Sequence, residues 1–347
     1  MHFAIPSRAG DSSLPGSPSF RAKSKSKTYS PSFLSQIYET IVKSESDSLS
    51  SFDRKRKSSR RSAISTVLLL AIIVLVTFVV VIYFVAQRLS SVVQASGPSI
   101  VLVLGLDGDH YKDDYLQKIV SNRKEYADAQ GYGLYVRDVK DFDHRVIDPE
   151  KTEWKKLPLL RAAMQDHPGA KFYWYLDQNA IIMNPNLNLE EHILEPKRLN
   201  SLVLRDIPIV PPDSTIRTYR HVPADRMKFI ISQDHEGLQT SSFILKNEEY
   251  SKYVVDAWFD KLYQEYTFAK KDKGALEHLA QWHPTVLSKM AVIPQRTFNS
   301  YPNGVGESLY QDGDFVASFI GCESPERNCV REFERLWDNR GRVVVKK

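Results

Sequence analysis

The chain contains 347 residues, of which 42% are hydrophobic and 11% aromatic, and this composition excludes disorder along the whole length. Its formal net charge is +5, from 47 Lys and Arg against 42 Asp and Glu. Residues 1–61 carry 12 basic and 5 acidic residues, which leaves 35 basic and 37 acidic residues for the remainder. The body of the protein therefore lacks the excess positive charge that nucleic-acid binding requires, and we expect no nucleic-acid partner.

The N-terminal region divides into a polar tail, an apolar segment and a short stem. Residues 1–61 are rich in Ser, Pro and Lys and have few apolar residues, which predicts a disordered tail. Ala63–Ala86 has no charged residue in 24 positions. At a rise of ~1.5 Å per residue it is long enough to cross a ~30 Å hydrocarbon core. Residues 62–87 are therefore predicted to be a transmembrane signal-anchor, and residues 88–99 a stem.

The charges that flank the apolar segment predict its orientation. Six of the eight residues 54–61 are basic, whereas Arg88 is the one basic residue just after the segment. The positive-inside rule then places the N-terminus in the cytosol and the body in a lumen. A cleaved signal peptide is the alternative, but the apolar run begins after about 60 residues and exceeds the ~7–15 residues of a signal-peptide core. We therefore expect an anchor.

Apolar runs of strand length alternate with segments of helical spacing across residues 100–340, which we predict to be one domain. Strands are predicted at Ile100–Leu106, Tyr132–Val136, Lys171–Leu176, Ser201–Leu204, Ser242–Lys246, Ala291–Pro294 and Asp314–Phe319. Helices are predicted at Asp113–Gln130, Trp154–Gln165, Glu248–Tyr266, Gly274–Lys289 and Val330–Asn339. This alternation predicts an α/β domain with a mainly parallel sheet. No Gly-x-Gly-x-x-Gly follows the first strand, although a nucleotide can still bind at the carboxyl ends of the strands.

The most informative segment is Phe172–Pro185, FYWYLDQNAIIMNP, in which Asp177, Gln178 and Asn179 separate two apolar runs. A carboxylate between buried runs is unfavourable unless it is paired. A divalent cation that carries a nucleotide diphosphate would provide the partner, because Mg²⁺ and Mn²⁺ prefer carboxylate oxygens and share substrate phosphates. The alternative is that Asp177 caps a turn at the strand end. The residues alone leave these two interpretations equally weighted.

Several blocks of the chain resemble one known family. Asn122–Tyr132 (NRKEYADAQGY) is similar to Asn-Arg-x-x-Tyr-x-x-x-His-Gly-Tyr, with Gln130 in place of the His, and WYLDQNAIIMNP is similar to Trp-Leu-Asp-x-Asp-Ala-x-Ile-Met-Asn. Further matching blocks are Gly237–Asn247 (GLQTSSFILKN), Ala275–Pro284 (ALEHLAQWHP), Pro294–Tyr301 (PQRTFNSY) and Gly313–Cys322 (GDFVASFIGC). By the order and spacing of these blocks, residues 99–322 resemble glycosyltransferase family 34, the fungal galactosyltransferase and mannan-polymerase group.

This resemblance implies a GT-A-like nucleotide-sugar-binding domain, a type II Golgi membrane topology and sugar transfer with retention of configuration. The wording of the blocks is most similar to the α-1,6-mannosyltransferase subunits of the mannan polymerase complex. These use GDP-mannose and extend the N-glycan outer chain. The resemblance thus implies a GDP-mannose donor, a mannan or N-glycan acceptor and a hetero-oligomer with other mannosyltransferase subunits. The α-1,2-galactosyltransferases, which use UDP-galactose, are the next most similar branch.

The resemblance also implies Mn²⁺ as cofactor, with Asp177 and Asn179 as candidate metal ligands. Asp177 matches the first Asp of the family's Asp-x-Asp, but the second Asp is Asn179 here. The His of the family's His-Phe-Ala-Gly-Cys block, also a metal ligand, is Ser318 here. Because neutral oxygens hold Mn²⁺ less strongly than charged ones, we expect weak metal binding or activity without metal.

Further roles are carried over from the family by position. Asp177 and Asp272 are the candidate catalytic residues, and Asp272 matches an acidic position ahead of Ala275. Ser241 and Ser242 match a small polar turn near the donor sugar. The candidate donor-binding residues are Asp107, Asp177, Gln178, Asn179, Ser241 and Ser242.

Other positions allow two interpretations each. Asp107 follows the first strand and either binds the nucleotide or forms a solvated turn. Asp234, beside His235, either lines the acceptor cleft or makes a surface hydrogen bond. Cys322 and Cys329 are the only cysteines. In an oxidising lumen a disulfide is favoured over two free thiols, and a zinc site is disfavoured because no second pair of ligands lies nearby.

Three functions follow as hypotheses. The first is a Golgi α-1,6-mannosyltransferase that acts within a mannan polymerase complex. The second is a non-catalytic or weakly catalytic subunit of that complex, which the neutral residues Asn179 and Ser318 motivate. The third is an α-1,2-galactosyltransferase that uses UDP-galactose.

Overall fold

The computed structural model describes residues 66–85, 97–210, 214–266, 268–304 and 306–341. Within the first range, Thr66–Val85 (α1) is a helix of 20 residues with a mean hydropathy of 3.3, long and apolar enough to cross a membrane. This is the apolar helix that the sequence predicts. The predicted tail at 1–61 lies outside the described residues, as do residues 88–96 of the predicted stem.

Strands and helices alternate along the rest of the described chain. The strands are β1 (Ile100–Leu106), β2 (Gly133–Asp138), β3 (Phe172–Leu176), β4 (Ala180–Ile182), β5 (Phe229–Asp234), β6 (Gly237–Lys246), β7 (Met290–Ile293) and β8 (Val316–Ser318). The helices after α1 are α2 (Asp113–Gln130), α3 (Lys156–Asp166), α4 (Pro196–Leu202), α5 (Glu249–Trp258), α6 (Lys261–Glu265), α7 (Lys271–Trp282), α8 (Pro284–Leu287) and α9 (Cys329–Trp337).

Six of these strands form a mixed sheet in the order β2-β1-β3-β6-β5-β7. The β1–β2, β1–β3 and β5–β7 pairs are parallel, whereas β6 runs antiparallel to both β3 and β5. β4 and β8 form a separate antiparallel pair. The prediction of an α/β domain with a mainly parallel sheet is confirmed.

β1 and β3 are buried on both faces of the sheet, which explains why these two strands are continuously apolar. Successive side chains of a strand point to opposite faces. In β1, Val101 and Val103 accordingly belong to one hydrophobic core, which includes residues of α3, α5 and α7, and Ile100 and Leu102 belong to a second core with Tyr126 of α2 and residues of β4. The two cores hold the ends of β1 and β3 in fixed positions.

The predicted strand Ser201–Leu204 is wrong, because Ser201 and Leu202 are the last residues of α4. Pro196 occupies the first turn of this helix, where its missing N–H is tolerated. Leu199 is buried and Leu202 packs beside the same core, three residues further on the helix face. A four-residue apolar run does not by itself distinguish the end of a helix from a strand.

Two predicted helices are each divided in two. Glu248–Tyr266 is interrupted after α5, where the Asp260 side chain accepts a hydrogen bond from the Leu262 N–H (2.8 Å) and starts α6. Gly274–Lys289 corresponds to α7 and α8, and α7 ends at Trp282 because Pro284 cannot donate a backbone hydrogen bond.

Two short or polar strands, β4 and β5, are not predicted from the sequence. Asp234 is the last residue of β5 and not part of a loop. The predicted turn at Ser241 and Ser242 is also wrong, since both residues lie inside β6. The four consecutive polar residues of QTSS resemble a turn in composition, but here both faces of the strand are buried.

Candidate active site

Two acidic residues predicted from the sequence meet at one edge of the sheet. Asp107 follows β1 and Asp177 follows β3, and these strands are parallel neighbours in register from Ile100 and Phe172 onward. The side-chain oxygen of Gln178 accepts a hydrogen bond from the Asp107 N–H (2.8 Å), which joins the two turns. The carboxyl ends of β1 and β3 therefore form one acidic edge, at the place where ligands of open α/β sheets bind.

The Asp177 carboxylate is half-buried and also organises its own turn. One oxygen accepts a hydrogen bond from the Asn179 N–H (2.9 Å), and the other accepts one from the Tyr175 hydroxyl (3.2 Å). The turn-capping interpretation of Asp177 is thus structurally correct, but it does not exclude a ligand, because a carboxylate has about four acceptor positions.

Arg123 holds this turn from below. The residue is fully buried, and its guanidinium donates to the carbonyls of Asp177 (2.9 Å) and Ala180 (2.7 Å). Burial lowers the pKa of Arg123 to about 10, so the group remains a cation at neutral pH. Its neighbour Asn122 donates to and accepts from the backbone of Ile182 (3.0 and 2.9 Å). The Asn-Arg pair of α2 therefore fixes the segment that carries Asp177.

A carboxylate that sequence reasoning missed, Glu323, lies on the opposite side of Asn179. The Asn179 Nδ2 donates a hydrogen bond to Glu323 Oε1. The two residues meet because β4 and β8 pair antiparallel, with Ala180 opposite Ser318 and the Phe319 N–H bonded to the Asn179 carbonyl (2.8 Å). Glu323 then follows β8 within the segment that the Cys322–Cys329 disulfide closes.

The surroundings of Glu323 are negatively charged. Partial burial of its carboxylate raises the pKa of Glu323, and the charges of Asp177 and Asp107 raise it further, while Arg327 opposes them. Burial together with Glu323 and Asp177 also raises the pKa of Tyr111 to about 12. Asp107 and Asp177 therefore contribute negative potential at Glu323, which favours a cationic or metal-bridged ligand.

His110 lies at the same edge and pairs with Asp107. Its Nδ1 lies 2.9 and 2.8 Å from the two oxygens of Asp107, and this hydrogen bond and charge raise the pKa of His110. The ring is largely exposed. His110 thus offsets part of the charge of Asp107.

The oxygen donors at this edge fit a hard divalent cation. Asp177 and Glu323 provide carboxylates, and two buried neutral oxygens, Asn179 Oδ1 and Ser318 Oγ, have no hydrogen-bond partner among the described residues. Carboxylate, amide and hydroxyl oxygens are ligands that Mg²⁺ and Mn²⁺ accept. Residues suited to hold such a cation are thus present despite the loss of the family's Asp and His.

The two serines of β6 differ in their surroundings. The Ser241 carbonyl accepts a hydrogen bond from the Asp177 N–H (2.8 Å), so the serine lies directly beside the acidic turn. Its buried Oγ has no partner within the described chain. The Ser242 Oγ instead accepts from the Trp174 indole N–H (3.1 Å) and donates to the Phe298 carbonyl (3.4 Å), which places it in the core packing.

Asp272 is buried and is linked to the acidic edge through other side chains. Its carboxylate is buried in α7 and lies 2.9 Å from the Lys156 Nζ, which also donates to the Thr240 hydroxyl (3.2 Å). Burial raises the pKa of Asp272, and Lys156 opposes that shift. Lys156 further lies 5.7 Å from the centre of the Tyr175 ring, whose hydroxyl bonds Asp177. Asp272 is therefore connected to Asp177 through Lys156 and Tyr175.

Asp234 is enclosed rather than exposed on a loop. Its side chain is 6% exposed and accepts hydrogen bonds from the N–H groups of Glu236 (2.8 Å) and Gly237 (3.0 Å) and from the Tyr301 hydroxyl (2.9 Å). The Gln239 side chain donates to it as well. The residue anchors the β5–β6 hairpin, and its contact with an acceptor sugar stays a prediction.

Residues 96–329 match the model of the galactosyl transferase GMA12/MNN10 family, glycosyltransferase family 34. The chain belongs to this family. The protein is therefore a glycosyltransferase, and both the resemblance and the expected α/β fold with a mainly parallel sheet are confirmed. Its acidic edge lies within the matched residues.

Relatives of this family 34 glycosyltransferase include proteins from two yeasts. An uncharacterized α-1,2-galactosyltransferase of Schizosaccharomyces pombe is 31% identical over 72% of this chain and 77% of its own length. A protein named α-1,2-galactosyltransferase from the same yeast is 32% identical over 66% of this chain and 63% of its own length. The "probable α-1,6-mannosyltransferase MNN11" of Saccharomyces cerevisiae is 33% identical over 69% of this chain and 61% of its own length.

Similar solved structures include a glycosyltransferase involved in the glycosylation of the major capsid of PBCV-1. It has a TM-score of 0.48 and 13% identity and covers 69% of this chain and 100% of its own. The galactosyltransferase LgtC, in complex with donor and acceptor sugar analogs, has a TM-score of 0.39 and 10% identity and covers 71% of this chain and 98% of its own.

Proposed function

We propose that this glycosyltransferase is an α-1,6-mannosyltransferase that transfers mannose from GDP-mannose to the outer-chain mannan of N-glycans, with retention of configuration. The observation that carries the proposal is the pair of Asp107 and Asp177 at the carboxyl ends of β1 and β3, with Glu323 in contact with the neighbouring Asn179, in a family 34 chain. The similarity to MNN11 and to the "probable α-1,6-mannosyltransferase MNN10" supports the choice of sugar.

In this proposal the donor diphosphate lies beside Asp177, with Asp107 and Gln178 at the nucleotide side and Ser241 at the sugar side. Asp177 and Asn179 would hold Mn²⁺, which would supply positive charge to stabilise the leaving diphosphate. Arg123 keeps the Asp177 turn in place during this step, since its guanidinium binds the carbonyls on both sides of that turn. We assign no covalent nucleophile.

The proposal includes a subcellular location. α1 anchors the protein in the Golgi membrane in type II orientation, with the N-terminus in the cytosol and the catalytic domain in the lumen. We further propose that the protein works in a hetero-oligomer with other mannosyltransferase subunits. The support for both statements is the apolar helix, the basic residues before it and the similarity to MNN10 and MNN11.

A second candidate function is α-1,2-galactosyl transfer from UDP-galactose. The relatives from Schizosaccharomyces pombe with that name favour it. The two candidates differ in the donor, so they are separated by offering GDP-mannose and UDP-galactose to the purified full-length protein with an α-mannoside acceptor. Transfer from GDP-mannose into an α-1,6 linkage, seen by NMR of the product, is the expected result. Transfer from UDP-galactose alone would contradict it.

A non-catalytic role in the complex requires a separate test. We compare the intact complex that contains the parent chain with complexes that contain Asp177→Asn or Asp128→Asn. Asp128 is the matched control, because its carboxylate is exposed and pairs with Lys124 on the outer face of α2. We expect Asp177→Asn alone to lower mannosyl transfer. Equal activity of all three complexes would assign this chain a scaffold role.

A further inference from the structure

The carboxylate of Glu323 lies beside Asn179, one of the two positions at which this chain lacks the metal ligands that the resemblance implies. The resemblance described in the sequence analysis implies Asp at 179 and His at 318, whereas the chain has Asn179 and Ser318. From the sequence, Asp177 is then the only charged group left at the metal position. The structure brings the Glu323 carboxylate into hydrogen-bond contact with the side chain of Asn179, two residues after Asp177.

We propose that Glu323 is a direct ligand of the divalent cation, together with Asp177 and the Asn179 side-chain oxygen. The site would then retain two carboxylates, one of which has moved from the turn after β3 to the disulfide-closed segment after β8. This inference rests on the proposed metal-assisted glycosyl transfer. It concerns Mn²⁺ or Mg²⁺ as ligand and does not depend on which sugar is transferred.

The buried neutral oxygens provide an independent observation. Asn179 is 5% exposed and Ser318 is 1% exposed, yet Asn179 Oδ1 and Ser318 Oγ have no hydrogen-bond partner in the described part of the chain. Buried polar atoms without partners are rare and unfavourable. The Asn179 amide already faces Glu323 through its Nδ2. A half-turn of the amide about its last bond exchanges N and O, so its oxygen can face a cation held by Glu323.

The segment after β8 is held firmly enough to position a ligand. The Cys322–Cys329 disulfide closes it, and Arg327 donates to the carbonyls of Ile320 (2.8 Å) and Phe319 (3.3 Å). Arg327 also pairs with Glu332 of α9 through hydrogen bonds of 2.8 and 2.6 Å. Glu323 is therefore anchored on both sides while part of its own surface remains open to solvent, as a cation site at a cleft mouth requires.

The first experiment measures Mn²⁺ binding directly, without sugar transfer. Full-length protein in detergent is titrated with Mn²⁺, alone and with GDP, and binding is followed by the enhancement of water proton relaxation. The variants are Glu323→Gln, Asp177→Asn and Glu326→Gln. Glu326 is the matched control, because it is an exposed glutamate of the same disulfide-closed segment. Thermal unfolding of each variant verifies folding.

We expect Glu323→Gln and Asp177→Asn each to weaken Mn²⁺ binding about tenfold or more, since loss of even an indirect ligand contact costs 10- to 100-fold. Glu326→Gln should bind as the parent does. The double variant Glu323→Gln with Asn179→Asp should recover most of the lost affinity, because it returns a carboxylate to the same site.

Three results would overturn the inference. They are no Mn²⁺ binding by the parent chain in either condition, parent-like binding by Glu323→Gln, and failure of the double variant to recover affinity although it folds. The donor assay separates this inference from the proposed function. If Mn²⁺ binding depends on Glu323 but only UDP-galactose is used, the ligand assignment stands and the mannosyltransferase proposal fails.

Discussion

Asp272 and Lys156 form an ion pair that is buried on both sides, with side chains 5% and 7% exposed and an O–N distance of 2.9 Å. The pair supports Tyr175 and through it the Asp177 turn. Its position explains why an acidic residue is present at 272 without requiring that the residue touch the donor. The catalytic role of Asp272 stays a prediction that stability and activity measurements can separate.

We predict that Asp272→Asn lowers the free energy of unfolding by about 3–5 kcal/mol, because it leaves the Lys156 charge buried without a partner. The control is Asp256→Asn, whose exposed carboxylate pairs with Arg161 (2.8 Å) and should contribute at most about 1 kcal/mol. Lys156→Met combined with Asp272→Leu should recover most of the stability. Urea unfolding checks these values, and a loss below about 1 kcal/mol for Asp272→Asn would contradict the buried-pair account.

A second residue-scale prediction concerns pH. Burial lowers the pKa of His192 below its ordinary value of 6.5, and the ring Nε2 lies 2.9 Å from the Thr297 carbonyl. Below pH 6.5 the unfolded chain therefore binds a proton that the folded chain does not. The stability that His192 contributes is complete above pH 6.5 and is lost as the pH falls through the folded-state pKa.

The prediction is measured as the difference in unfolding free energy between the parent and His192→Gln at several pH values. Gln retains an N–H donor for Thr297 but does not titrate. The parent should lose more stability than the variant between pH 7.5 and 5. Parallel pH curves would show that His192 does not titrate differently on folding.

Asp107 and Asp177 could be predicted as a pair because each follows a recognisable apolar strand, and parallel neighbours end at the same edge. Glu323 could not be predicted as part of this site, because its contact with Asn179 joins residues 144 positions apart through the short β4–β8 pair. Arg123 lies in one of the sequence blocks that resemble family 34, but its hydrogen bonds to the carbonyls of Asp177 and Ala180 are seen only in the structure. Sequence reasoning locates groups on long regular strands and misses those on short ones.

At the scale of elements, the β5–β6 hairpin illustrates the same limit. β5 carries the polar residues Gln233 and Asp234 at its end, so its pattern lacks the apolar continuity that identifies β1 and β3. The hairpin turn also depends on a glycine. Gly237 has φ +130°, and an added Cβ would overlap the Glu277 carboxylate of α7, which accepts a hydrogen bond from the Leu238 N–H (3.2 Å).

We predict that Gly237→Ala destabilises the protein more than Gly131→Ala. Gly131, after α2, has φ +69° and open space around its Cβ position, so alanine there costs about 1–2 kcal/mol of backbone strain. Overlap with Glu277 should add about 1–3 kcal/mol at Gly237. Denaturant unfolding of both variants tests this order. Equal losses would mean that Glu277 moves away without cost.

The whole molecule divides its charge as its sequence suggests. The excess of basic residues lies in residues 1–61, before α1, whereas the remainder is close to neutral with 35 basic and 37 acidic residues. The negative potential at the candidate site is therefore local. It arises from Asp107, Asp177 and Glu323 and not from a general field of the domain.

We propose that the donor binds at the surface formed by the ends of β1, β3 and β8. The most direct measurement is backbone hydrogen exchange of the full-length protein with and without GDP-mannose and Mn²⁺. We expect slower exchange in residues 107–111, 177–183 and 318–323 on donor binding. Unchanged exchange in all three segments, with protection at another part of the domain, would contradict it.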